Sequence, residues 1–239
     1  MTEVLFSEIW WQLLLIVVCS YLIGNLNFAV LISHLLHGDV RKVGSGNPGT
    51  LNMARAFGGK IALLTLFLDG VKGAVPTLTA YLLFRGKVFS GTQFELCDLA
   101  AALAGLFVVV GHIYPVFLKF HGGKGVASTV GLSLVADPIV SAISFASAFT
   151  FVYFTKLGAI GSFIAITPTM ISRVIRLSVK YVGKTVSVAG LVVTLFCIVF
   201  GLILVVFAHR GNIRRMIRGE ENPTDIREMF RKKSDKKEN

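Results

Sequence analysis

Residues 187–208 carry no charged side chain. A hydrocarbon core about 30 Å thick takes about 20 apolar residues of helix to cross, so this run marks a membrane-spanning helix. Comparable runs cover 10–36, 61–84 and 99–120, and shorter ones cover 126–136, 139–154 and 158–171. The chain is 54% hydrophobic and only 15% charged, with a mean hydropathy of +0.73. That leaves too little charge to cover a soluble surface, so the apolar excess must face lipid. The expected fold class is an all-α integral membrane protein. Counting the short runs as tilted crossings predicts about seven transmembrane helices; counting some as re-entrant leaves five.

Both counts are odd, which puts the termini on opposite sides. Before the first run stand Glu3 and Glu8 and no Lys or Arg, so no cleaved signal is read there and the N-terminus is placed outside. The tail from His209 holds ten Lys/Arg against six Asp/Glu, which puts the C-terminus inside. One segment runs against this orientation. Residues 173–184 hold Arg173, Arg176, Lys180 and Lys184, yet they fall outside. The expected organisation is one polytopic membrane domain over 1–221 and a charged, disordered cytoplasmic tail over 222–239. The net charge of +11 would suggest nucleic acid in a soluble chain. Here the basic residues flank apolar runs and report contact with anionic headgroups, so no nucleic acid is expected. Cys19, Cys97 and Cys197 have no metal-like spacing and read as packing residues. No repeat of matching interrupted helices, as in many transporters, is visible.

Three polar segments carry the chemistry. The first, on the first inside loop, runs Arg41-Lys42-Val43-Gly44-Ser45-Gly46-Asn47-Pro48-Gly49-Thr50-Leu51-Asn52-Met53-Ala54-Arg55. Its glycines let backbone amides converge on phosphate oxygens, and a helix starting soon after adds its N-terminal amides. Ser45, Asn47 and Asn52 offer neutral hydrogen bonds, Lys42 and Arg55 charge. The match of Gly44–Gly49 to a dinucleotide fingerprint is weak, because a membrane helix and not a strand precedes it. A merely flexible loop is the plain alternative.

The second segment joins His112, inside an apolar helix, to the turn Gly122-Gly123-Lys124-Gly125. A histidine in lipid is costly unless it lines a polar cavity. Alone, Lys124 reads equally as a snorkelling lysine; a second loop with the same phosphate-holding chemistry argues otherwise. The third segment leaves the last span as His209-Arg210-Gly211-Asn212-Ile213-Arg214-Arg215, ending at Glu220-Glu221. On a continuing helix His209, Asn212 and Arg215 share a face, although a plain juxtamembrane basic cluster would look much the same. A further pair, His34 and Asp39, fits the His-x4-Asp pattern of soluble-domain acyltransferases. It falls at a membrane helix end with no globular domain around it and reads as chance.

Together the segments fit GSGNxGxxNxxR, GHxxPxFxxFxGGKGVA and HxxNIxRxxxGxE, in order and separated by spans. In this the chain resembles the bacterial acyl-phosphate:glycerol-3-phosphate acyltransferase family, over residues 20–221. The resemblance implies a seven-helix fold in the bacterial inner membrane with its site facing the cytoplasm. It implies acyl transfer from acyl phosphate to the 1-hydroxyl of sn-glycerol 3-phosphate, giving lysophosphatidic acid and phosphate, the first step of phospholipid synthesis. His112, Lys124, His209 and Asn212 are then the catalytic candidates. Lys42, Gly44, Ser45, Gly46, Asn47, Gly49, Asn52, Arg55, Gly122, Gly123, Gly125, Ser162, Arg210, Arg215 and Glu221 are the substrate- and phosphate-binding candidates. No cofactor or metal is called for. Partners are the two substrates, membrane lipid and, through function, the soluble enzyme that makes acyl phosphate. The chain departs from the family at Gly24-Asn25-Leu26-Asn27-Phe28, where Gly-Ser-x-Pro-Phe is usual, at Thr50-Leu51-Asn52, where Ala-Thr-Asn is usual, and at Ala159, Ala208 and Gly211.

The residues suit that chemistry without the family. An acyl phosphate is already activated, so the protein's task is to hold two anionic phosphates together and stabilise charge as one leaves. Lys42, Arg55, Lys124, Arg210 and Arg215 supply countercharge. His112, His209, Glu221 or a substrate phosphate could act as base. The alternative of another class is a transporter or flippase for an organic phosphate or anionic lipid.

Overall fold

The computed structural model describes residues 1–231, and 232–239 lie outside the described residues. Strand β1 (Thr2–Val4) pairs in parallel with β2 (Lys87–Phe89). Eleven α-helices account for most of the described chain. Six stretches of helix are long and apolar enough to cross a membrane, and Val126–Ala136 is a seventh, shorter apolar helix.

The first expected span is broken. Helix α1 (Phe6–Asn25) ends before Leu26, and α2 (Phe28–Leu35) starts anew, because the Asn27 side chain accepts the Val30 N–H at 3.0 Å and caps it. The carbonyl of Leu26, freed by the break, accepts from Nζ of Lys72 at 2.6 Å. So the Asn25-Leu26-Asn27 departure from the family pattern builds its own break. Amphipathic α3 (Thr50–Phe57) then leads through Gly58, at φ 85°, into α4 (Gly59–Phe84).

The central helix is α5 (Leu96–Ile113), buried along most of its length and packed on α1, α4 and α9 (Val188–Ala208). With no hydrophobic force between helices in lipid, close backbone approach has to supply the packing. A Cβ on Gly111 would come within 2.2 Å of the Tyr21 carbonyl oxygen, and one on Gly73 within 2.0 Å of the Ser128 carbonyl oxygen. The glycines thus let α5 touch α1, and α4 touch α6 (Val126–Ala136).

At 1.5 Å per residue, the 11 residues of α6 span about 16 Å. It ends at Asp137, which accepts from the Ser172 hydroxyl at 2.6 Å and pairs with Arg176 at 3.2 Å. Helix α7 (Pro138–Thr155) returns, and α8 (Gly158–Lys180) follows.

The largest difference from expectation lies in α8, which runs nine residues past the expected end at 171. Three of the four charges that suggested a loop lie on the helix instead and are buried or paired. Arg173 is buried, Arg176 meets Asp137, and Lys180 pairs with Asp98 at 2.7 Å and Glu95 at 3.1 Å. This end also holds β1, β2 and the 181–187 turn, where the Gln93 N–H donates to the Thr185 carbonyl at 2.7 Å.

At the opposite end lie the three polar segments, α10 (Arg210–Ile217) and α11 (Ile226–Arg231). The tail expected to be disordered from 222 is folded here as far as 231. Thr224 is buried, its N–H donates to the Lys156 carbonyl at 2.8 Å, and Asp225 pairs with Lys156 at 2.6 Å.

Candidate active site

The three polar segments converge. Nζ of Lys124 donates to Oδ1 of Asn212, whose Nδ2 donates to Oε1 of Glu221 at 2.6 Å; Oε2 of Glu221 accepts from Nε of Arg215 at 3.0 Å. An amide can accept from an ammonium through its oxygen while its nitrogen donates to a carboxylate. Asn212 therefore links the second segment to the third. Among the described residues, two of the Lys124 Nζ protons and the terminal nitrogens of Arg215 take no part in this chain of bonds. Arg55 donates to the Pro223 carbonyl at 3.4 Å beside them. Three cations face one carboxylate, an arrangement made for anions.

Burial, with Arg215 and Arg55 nearby, brings the Lys124 ammonium down to about 8, while Glu221 works the other way. Burial likewise lowers the Arg55 guanidinium. His209 is buried against the Phe163 ring, centroids 5.1 Å apart, and burial pushes its imidazole down to about 4. Its Nδ1 hydrogen is bonded to the Val205 carbonyl at 2.8 Å. The neutral ring then carries its lone pair on Nε2.

The cluster separates two chambers. One, of ≈ 360 Å³, runs between α4, α7 and α8; its apolar wall includes Leu63, Leu66, Phe145, Phe149 and Val152. The other, of ≈ 560 Å³, is bounded by Gly46, Asn47, Gly122, Gly123 and Arg210 and opens to the polar face. Ser45, Asn47, Lys124, Asn212 and Arg215 border both. A lipid-soluble and a water-soluble reactant could meet at that boundary.

The glycines expected to wrap phosphate do more than one job. Gly44, at φ 56°, leaves room for Asn52, since a Cβ there would lie 2.5 Å from Oδ1 of Asn52. Asn52 has a structural task as well. Its Nδ2 donates to the Val40 and Val43 carbonyls at 2.8 and 2.9 Å, and its Oδ1 accepts the Ser45 N–H at 3.2 Å. Both Nδ2 protons are committed to the loop, so Asn52 shapes it while also lining the apolar chamber. Lys42 corrects an expectation. It is exposed and borders neither chamber, because the preceding turn points Arg41 to the polar chamber instead. Arg41 is itself clasped by Asp39, Nε to Oδ1 at 2.9 Å, and those bonds hold the carboxyl at about 2.

Gly49 caps α3 and Gly125 caps α6, both on the apolar chamber. Ser162 lines it too, with its hydroxyl donated to the Gly158 carbonyl at 3.0 Å. Gly123 fits closely on His112: its N–H donates to the His112 carbonyl at 3.1 Å, and a Cβ would reach within 2.2 Å of Nε2. Arg210 stacks on Phe207 at 4.5 Å, at the rim of the polar chamber. Among the base candidates, Glu221 has both carboxylate oxygens engaged.

Sequence reasoning missed a buried group. Asp69 and Lys72 pair at 2.7 Å inside α4, and Nδ1 of His112 lies 3.8 Å from Asp69. With Lys72 bonded to Leu26, this cluster ties the α1–α2 break, α4 and α5 together just beneath the Gly123–Lys124 turn. The signal was present, because two charges three apart in an apolar span are rarely idle.

The family model that matches is that of glycerol-3-phosphate acyltransferase, over residues 14–219. A glycerol-3-phosphate acyltransferase of Anaeromyxobacter sp. strain Fw109-5 is 34% identical over 213 residues, 87% of this chain and 94% of the relative. One from Aquifex aeolicus strain VF5 is 35% identical over 209 residues, 87% and 97% of the respective chains. The chain belongs to the glycerol-3-phosphate acyltransferase family. Its fold agrees. The crystal structure of PlsY, an integral membrane glycerol 3-phosphate acyltransferase, in the glycerol 3-phosphate form superposes with a TM-score of 0.73 at 32% identity, covering 91% of this chain and 98% of that one. A lysophosphatidic acid form of PlsY matches at 0.71. As a glycerol-3-phosphate acyltransferase family member, the chain is an integral membrane protein of phospholipid synthesis, and the convergence of the three segments is the place to look for its chemistry.

Proposed function

We propose that this protein transfers a fatty acyl group from acyl phosphate to the 1-hydroxyl of sn-glycerol 3-phosphate, releasing lysophosphatidic acid and inorganic phosphate. The observation that carries the reading is the Lys124–Asn212–Glu221–Arg215 chain at the boundary of an apolar and a polar chamber. The acyl chain would lie in the apolar one and glycerol 3-phosphate in the polar one. The relatives' activity and the two bound forms of PlsY support this.

The hydroxyl oxygen attacks the acyl carbon, and the bond from that carbon to the phosphate oxygen breaks. Lys124, Arg215 and Arg55 offset the charge gathered on the departing phosphate. The hydroxyl proton has two acceptors at such a site, Nε2 of His209 and the leaving phosphate itself. The gain comes chiefly from positioning two anions that would otherwise repel. We place this end of the bundle on the cytoplasmic side of a bacterial inner membrane, within reach of a soluble enzyme that makes acyl phosphate.

The test is purified protein in lipid nanodiscs with labelled glycerol 3-phosphate and either palmitoyl phosphate or palmitoyl-CoA. Labelled lysophosphatidic acid is expected from palmitoyl phosphate alone. Product only from the thioester would overturn the donor, and no product from either would overturn the function.

A further inference from the structure

The family match ends at residue 219, yet the chain continues and returns to the apolar chamber. Asn222, Thr224, Ile226 and Met229 all line it. The return path is anchored at each step. Arg55 donates to the Pro223 carbonyl at 3.4 Å, Thr224 is buried with its N–H on the Lys156 carbonyl, and Asp225 pairs with Lys156 at 2.6 Å. Arg227 stacks on Tyr153 of α7 at 4.4 Å, and Met229 packs into the apolar cluster of α2, α3 and α4. Helix α11 therefore runs from α7 to α4 across the chamber's end, while both of those helices pack on α6 behind it.

We propose that residues 222–229, beyond the last residue of the family-model match, form a wall of the acyl-donor site. The inference rests on reading the apolar chamber as the acyl site. Ile226 and Met229 then bury apolar surface against the chain of the donor, while the polar chamber that would take glycerol 3-phosphate has no lining residue from this segment. The wall should therefore act on one substrate and not on the other. A segment that only stabilised the bundle would make no such distinction.

The experiment is the Ile226→Ala/Met229→Ala double variant of the full chain, in nanodiscs, with KM measured separately for palmitoyl phosphate and for glycerol 3-phosphate. Loss of two partly buried side chains from the wall is expected to raise the donor KM roughly tenfold and to leave the acceptor KM within about twofold. Lys156→Ala, which loosens the anchor without touching the wall, should move the donor KM in the same direction and less. A donor KM unchanged in both variants, or both substrates' KM values rising together, would overturn the proposal. Size-exclusion behaviour and thermal unfolding of each variant identify one that has failed to fold; in that case Ile226→Val, a milder trimming of the same wall, must still raise the donor KM selectively, or the proposal fails. Because wild-type protein is assayed alongside, absence of any acyl transfer would overturn the functional reading, whereas transfer with an unmoved donor KM would overturn the wall alone.

Discussion

The two ends of the bundle are both rich in charge and use it in opposite ways. At the end holding the N-terminal strand, each cation of the C-terminal half of α8 either meets a carboxylate or is buried: Arg176 on Asp137, Lys180 on Glu95 and Asp98, and Arg173 inside the bundle. At the other end, Lys124, Arg215 and Arg55 gather around the single carboxylate of Glu221, and that carboxylate is shared with Asn212. Satisfied charge holds helices in register. Surplus charge of one sign, arranged on glycine-shaped loops, leaves this end with net positive charge at the boundary of the two chambers.

The comparison breaks most sharply on Lys124. Lys124→Ala should lower kcat about 10²–10³-fold, the usual cost of removing one donor to developing charge, with thermal unfolding of the purified protein unchanged. A variant within threefold of wild-type turnover would show that the surplus charge is not used. Between the two ends, Lys72→Met should destabilise the protein by about 3–5 kcal/mol, because Asp69 would be left buried without its cation. The double variant Asp69→Leu/Lys72→Met should recover most of that, less about 1–3 kcal/mol for the orphaned Leu26 carbonyl. If the double proved as unstable as the single in detergent unfolding, the pair would not be what ties the helices.

A smaller effect follows from pH. With Lys124 at about 8, its positive charge is present below that value and lost as pH rises through it. Accordingly, kcat/KM should fall by about tenfold per unit above the midpoint, and a profile flat to about pH 9.5 would remove Lys124 from that role. The least effect belongs to the paired end. Lys180→Ala should cost about 1 kcal/mol or less, since its pairs are partly exposed and Tyr181 still donates to Asp98 at 2.6 Å. Its turnover should stay within twofold, and a loss comparable to that of Lys124→Ala would mean the ends are not separate in function.

Much of this was legible beforehand, and the misreadings share a cause. Helix α6 has the bounds expected from sequence, 126–136, because the Gly122-Gly123 break before it and the Asp137-Pro138 turn after it are local signals. Helix α8 was cut short at 171 because hydropathy scores each charge as though it faced lipid or water, whereas Arg173, Arg176 and Lys180 find burial or partners on other helices. Lys42 reads as a ligand contact because its side chain can make one, and the role of Asn52 in shaping the loop does not show in its residue type. Which way each points depends on a turn whose shape is set by the Asn52 bonds to Val40 and Val43. The 222–231 segment was read as disordered from composition, yet Thr224 and Met229 find sites on neighbouring helices.

The membrane-spanning character, most span positions and the phosphate-suited chemistry of three loops were determined by the sequence alone. Each follows from residues adjacent in the chain, whose apolar length, glycine freedom and charge act locally. The tertiary structure decided the rest. Lys124 meets Asn212 across 88 residues, Asp69 meets His112 across two helices, and the tail closes one chamber while leaving the other open. The surplus charge at one end is therefore a property of packing. The same arginines and lysines, spread along the chain, are inert until helix-to-helix contact sorts them into those with a carboxylate partner and those without.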